Sequence, residues 1–393
     1  VASTYTWIAA DNASTSGESI TTQTATTIND VITNGTAIVQ TVVYTVTPTS
    51  SGGGCIGASQ TVSVTVNPIP AMTSASTATI CSGGTVSIPL TSNVASTYTW
   101  IAANNASTTG ESITTQSTAT LSNTITNTTT AVQTVIYTVT PTSSAGSCAG
   151  ISQTVSVTVN PTPTMTNANT ATICSGNAVG LALPSNIAAT YTWIAANNAN
   201  TTGESIITQT TTSIGDIITN TTTSTQNVIY TVTPTSTGGS CLGTSQTVTV
   251  SVNPAPNMTS AATATICSGG TVSIPLTAGI ASNFTWIATD NISTSGESIT
   301  TQSTATLSNT ISNSTTSVQI VVYTVTPTST AGGCAGPAQT VSVTVNPIPA
   351  MTSASTATIC SGGTVSIPFT SNVASTYTWI AANNANTTGE SLT

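Results

Sequence analysis

The stretch Gln60-Thr61-Val62-Ser63-Val64-Thr65-Val66-Asn67-Pro68-Ile69-Pro70 returns at 153–163, 246–256 and 339–349, each copy 93 residues after the last. A fixed period decides architecture before any single residue does. At that period, 393 residues hold about four units, each inside the usual domain size range and able to bury its own core. Solenoid units of roughly 20 to 45 residues lean on their neighbours instead. In this register the chain reads as the C-terminal part of one unit (1–70), three complete units (71–163, 164–256, 257–349) and the N-terminal part of another (350–393).

Within 71–163, Ile80-Cys81-Ser82-Gly83-Gly84 reads as a turn. Thr85–Leu90 then alternates, with Val86, Ile88 and Leu90 on one face, and Pro89 fits only at an edge or bulge. Tyr98–Ala103 alternates too, placing Tyr98, Trp100 and Ala102 inward. Two weaker strands are expected at 112–114 and 119–125, a strong one at 135–141 and a last one at 153–159. Outward positions are mostly Thr and Ser, and β-branched Thr suits a pleated, half-wet surface. Helix is not expected, because Lys and Arg are absent and Glu is rare. About seven short strands per unit, separated by Gly, Asn and Pro, predict an all-β tandem array of immunoglobulin-like β-sandwiches. Trp7, Trp100, Trp193, Trp286 and Trp379, one per unit, are the expected core anchors, with Tyr44, Tyr137, Tyr230 and Tyr323 beside them. Asn160-Pro161-Thr162-Pro163 closes the unit; prolines two apart stiffen the joint, so the array is expected to be rod-like.

Charge excludes whole classes of partner. Without Lys, Arg or His, and with nine acidic residues for a net charge of −9, the chain cannot neutralise phosphates. Nucleic acid and anionic membrane surfaces are therefore ruled out. No apolar run approaches the ~20 residues that span a bilayer. Catalysis lacks its usual groups, with no His or Lys and only scattered acids, so no enzymatic activity and no cofactor are expected. One acid is periodic: Glu18, Glu111, Glu204, Glu297 and Glu390 each stand in Gly-Glu-Ser. A single carboxylate is a poor calcium set, so these read as solvated turn carboxylates and no metal is assigned.

Eight cysteines alternate at spacings of 26 and 67 residues, with no CxxC and no His. That pattern argues for disulfides over zinc, and for an oxidising, extracytoplasmic setting. Three pairings compete. Within-unit bonds would be Cys81–Cys148, Cys174–Cys241 and Cys267–Cys334, leaving Cys55 and Cys360 to partners outside the chain. Pairing at spacing 26, as Cys55–Cys81, must fold the chain back over a strand of roughly 25 Å and a stiff linker, against the ~7 Å a bridge allows between Cα atoms. A third arrangement joins the first turn of a unit to the loop of a neighbour, as end-to-end stacking would permit. Within-unit pairing is the expectation, each 67-residue loop being worth about 4 kcal/mol in the chain-entropy picture.

Taken together, Ile80-Cys81-Ser82-Gly83-Gly84, Tyr98-Thr99-Trp100, Tyr137-Thr138-Val139-Thr140-Pro141, Cys148 and Val155–Pro161 resemble the PKD-like, immunoglobulin-type repeats of giant surface proteins of Bacteroidota. Among these are gliding-motility adhesins exported by the type IX route. The Trp-Asp-Phe-Gly-Asp-Gly stretch of standard PKD domains is replaced here by Trp100-Ile101-Ala102-Ala103-Asn104-Asn105, so no ligand site is carried over. The resemblance implies an extracellular, cell-surface location and a structural shaft of an adhesin or filament, with a host or environmental surface as partner. The alternative is a binding module whose Thr-rich faces touch carbohydrate or another copy of the chain.

Overall fold

The computed structural model describes residues 1–393. It contains strands, turns and no helix. Unit 71–163 has seven strands: β1 (Thr77–Cys81), β2 (Gly84–Pro89), β3 (Ser96–Ala102), β4 (Thr108–Thr109), β5 (Thr120–Asn127), β6 (Gln133–Ser143) and β7 (Gln153–Asn160). One sheet is ordered β1-β7-β6-β3 and the other β2-β5-β4. Every pair is antiparallel except β1 with β7, which run parallel, Thr77 opposite Ser156 and Cys81 opposite Asn160.

The inner faces follow from alternation. Val86, Ile88 and Leu90 of the β2 segment meet Tyr98, Trp100 and Ala102 of β3, with Leu121, Tyr137 and Val157 fully buried between the sheets. Trp100 stands edge-on to Tyr137, ring centroids 5.8 Å apart, an arrangement worth about 0.5–1.5 kcal/mol beyond its buried area. Trp7–Tyr44, Trp193–Tyr230 and Trp286–Tyr323 repeat it. Pro89 ends β2, an outer strand of the smaller sheet, where its missing N–H costs no ladder bond.

Four expectations need correction. The segment up to Cys81 is strand β1 rather than turn, and only Ser82-Gly83 turns. Residues 112–114 form no strand; the Ser112 carbonyl accepts from the Ala102 N–H of β3 at 2.8 Å, Gln116 beyond it bridges Trp100, and the short strand lies earlier, at Thr108–Thr109. Trp379 is 59% exposed rather than a core anchor, because residues 350–393 include no counterparts of β6 and β7 to cover it. The within-unit disulfides do not form, for a reason that lies in the β1/β7 pairing described below.

Unit 257–349 repeats both sheets strand for strand. In unit 164–256 the smaller sheet breaks into Asn177–Ala178 on Ile217–Asn220 and Leu181–Ala182 on Ser213–Ile214. The cause is local: the facing pair Ser87 and Ser122 is replaced by Gly180 and Gly215. Two glycines opposite each other leave no side chains to pack across the strand pair and cost more backbone entropy to hold extended, and Gly180 takes φ +60°.

Candidate functional site: the junction between units

Strand direction decides which ends meet. Because β1 and β7 are parallel, Cys81 finishes β1 beside Asn160, where the chain leaves the unit, and the Ser82 N–H donates to the Asn160 carbonyl at 2.8 Å. Cys148 precedes β7, at the opposite end of the same strand. The seven residue steps from Gln153 to Asn160 put roughly 23 Å between those ends, well beyond the ~7 Å a bridge spans. Within-unit pairing is thereby excluded.

The bonds run between consecutive units, Cys81–Cys241 and Cys174–Cys334, with Cα atoms 5.6 and 5.5 Å apart and a sequence separation of 160 in each. Loops that long are worth about 5 kcal/mol each in the chain-entropy picture, before allowing for their overlap. Cys55, Cys148, Cys267 and Cys360 are free. Positions 160 residues before Cys148 and after Cys267 fall outside 1–393.

Two glycines per junction let the surfaces approach. Gly239 takes φ +88°, and a Cβ there would overlap the Asn160 side chain; Gly146 with Asn67 and Gly332 with Asn253 repeat the contact. A Cβ on Gly243 would strike the Pro163 carbonyl oxygen, and Gly150 and Gly336 stand likewise on Pro70 and Pro256. The loop before the last strand of each unit is thus seated on the proline linker of the unit before it. Cys241 and Cys334 are fully buried, and the Cys241 N–H donates to the Ser236 hydroxyl at 2.9 Å. Their partners Cys81 and Cys174 are half-buried.

The periodic glutamates are braces within the unit, not solvated turn carboxylates. Glu111 Oε1 accepts from the Thr108 hydroxyl at 3.0 Å and the Asn105 N–H at 3.4 Å, while Oε2 is buried without a partner. Glu18, Glu204 and Glu297 do the same. Beside this brace, Asn123 Oδ1 accepts from the Ser112 N–H and the Tyr137 hydroxyl, at 3.0 and 2.8 Å. Asp30 and Asp216 take that place in alternate units, accepting from Tyr44 and Tyr230. Burial works against ionisation of Asp30, but the Ser19 hydroxyl and N–H and the Tyr44 hydroxyl outweigh it and hold the carboxyl below its ordinary range. Glu18 is lowered by a backbone N–H and the Thr15 hydroxyl. Tyr44 and Tyr230 are raised by burial and then by Asp30 and Asp216; Tyr137 and Tyr323 are raised by burial and then by the charge of Glu111 and Glu297.

The outer face of the larger sheet is a threonine grid. Thr99 lies opposite Thr140, Thr97 opposite Thr142, Thr138 opposite Thr154, and Thr158 stands between Thr134 and Thr79. Ile101 and Ile136, 38% and 36% exposed, break the polar pattern.

Fold and junction together define a tandem array of seven-stranded immunoglobulin-like sandwiches. The chain belongs to the PKD-like domain family, whose profile matches residues 1–70, 78–163, 171–256, 264–349 and 357–393. No curated protein matches it. Solved structures that it is similar to include the I67–I69 fragment of titin, at 10% identity over 71% of this chain and 98% of that one, TM-score 0.33. Others are the insect immune protein hemolin, at 12% identity over 78% and 82% with TM-score 0.24, and three N-terminal domains of the bacteriophage RB49 outer capsid protein Hoc, at 13% over 71% and 99% with TM-score 0.29.

Proposed function

We propose that this array is the structural shaft of an extracellular, cell-surface adhesin or filament, divided at 70/71, 163/164, 256/257 and 349/350, and that it serves attachment and gliding motility in a bacterium of the Bacteroidota using type IX export. The observation that carries the reading is the junction: each unit is seated on the proline linker of the unit before it and bonded across the seam. Such a seam transmits force and keeps direction, so the array behaves as a rod. The disulfides support an oxidising compartment. Near-identical units add length rather than a unique site. Deleting one or two whole 93-residue units from the native protein should shorten the reach of surface attachment stepwise without changing what is bound. Unchanged reach, or loss of binding specificity, would refute the shaft.

The threonine grid favours a second reading, in which the sheet face contacts carbohydrate or another copy of the chain. A glycan array and sedimentation of the isolated array test it, and the shaft reading expects both to be silent.

A further inference from the structure

The two bonds enclose overlapping loops, 81–241 and 174–334. Overlap changes how tension travels. From Val1 the shortest covalent route runs forward to Cys81, across to Cys241, back through unit 164–256 to Cys174, across to Cys334 and on to Thr393. It uses 80, 67 and 59 peptide links, 206 of the chain's 392. Residues 82–173 and 242–333 lie off that route.

We propose that the inter-unit disulfides are a redox-sensitive length limiter: while both are closed, pulling the ends draws on only 206 links, and complete unfolding cannot extend the remaining 186. The proposal concerns how the chain yields to force and holds whatever the chain binds. Because the loops overlap, the bonds are partly redundant. Opening Cys81–Cys241 alone leaves Cys174–Cys334, which still removes 160 links from the route, so only 26 return. Each junction therefore protects its neighbour against over-extension. Shielding acts in the same direction, since one sulfur of each bond belongs to a fully buried residue. Continued in this register through Cys267, a forward route would need only residues 242–267 for every two units. Of those 26 residues, 13 already lie in the extended strands Gln246–Asn253 and Thr263–Cys267.

The test is single-molecule stretching of the whole chain held by peptide tags at its two ends, first oxidised, then in dithiothreitol. The dithiol reduces each bond to two thiols, supplying two electrons and two protons and closing to its own cyclic disulfide. At 3.3–3.6 Å per residue, reduction should lengthen the fully unfolded contour by roughly 65 nm. A Cys81→Ser/Cys241→Ser variant, oxidised, should gain only about 9 nm over the oxidised parent. Equal contours with and without dithiothreitol would overturn the proposal. So would a gain near 47 nm in the double variant, which is what separate within-unit loops would release.

Discussion

Tyr137→Phe and Tyr230→Phe remove the same hydroxyl from the same place in two consecutive units, yet they should not cost the same. Tyr137 donates to a neutral acceptor, Asn123 Oδ1, at 2.8 Å, and that oxygen keeps the Ser112 N–H after the change. Only an ordinary hydrogen bond is lost, about 1 kcal/mol. Tyr230 donates to the Asp216 carboxylate at 2.9 Å, which keeps the Ser205 N–H and hydroxyl, both at 2.7 Å. A bond to a charged acceptor is worth about 1.5–3 kcal/mol, and the retained donors spare the carboxylate the larger penalty of isolation. Hydrogen exchange with peptic mapping resolves the units in the intact chain. Protection of the 135–139 amides should fall about fivefold in Tyr137→Phe, and that of 228–232 by about ten- to a hundredfold in Tyr230→Phe. Equal losses, or a larger loss in Tyr137→Phe, would refute the assignment of these acceptors.

Three other outcomes are expected. Leu121→Ala, at a fully buried position facing β2 through Ile88, should destabilise its unit by about 2–5 kcal/mol, read as local loss of exchange protection. Gly243→Val should push the loop off the Pro163 carbonyl and prevent Cys81–Cys241 from closing; thiol titration after unfolding should rise from the four free cysteines by two, and an unchanged count would refute the seating. Asp30 is held below its ordinary range, so its contribution to stability is complete above the unfolded carboxyl value, about pH 4, and is lost as pH falls through the lower folded value. In Asp30→Asn that part of the acid dependence should vanish from thermal unfolding scans between neutral and strongly acid pH; persistence of the full dependence would refute it.

Much of the fold was legible because its causes are local. Val86, Ile88 and Leu90 alternate, and so do Tyr98, Trp100 and Ala102; period 2 in sequence is one face of a strand in space. The larger misses were interactions with weak local signals. Strand β1 carries only Ala78 and Ile80 inward, too little for alternation to stand out beside the Ser82-Gly83 turn that follows. The glutamate brace went unrecognised because Asn105, Thr108 and Glu111 converge only when the loop closes.

By itself the sequence determined the 93-residue period, the sandwich class and the aromatic pair in each core, since composition and alternation act within a few residues. It could not determine which cysteines bond. Under a strict repeat, Cys81 stands in an equivalent sequence relation to Cys55, Cys148 and Cys241, each one whole unit from the next, so spacing alone does not single out a partner. The tertiary structure decides by direction: parallel pairing carries Cys81 to the exit of its unit, where the buried loop of the following unit, with Cys241, is the nearest surface.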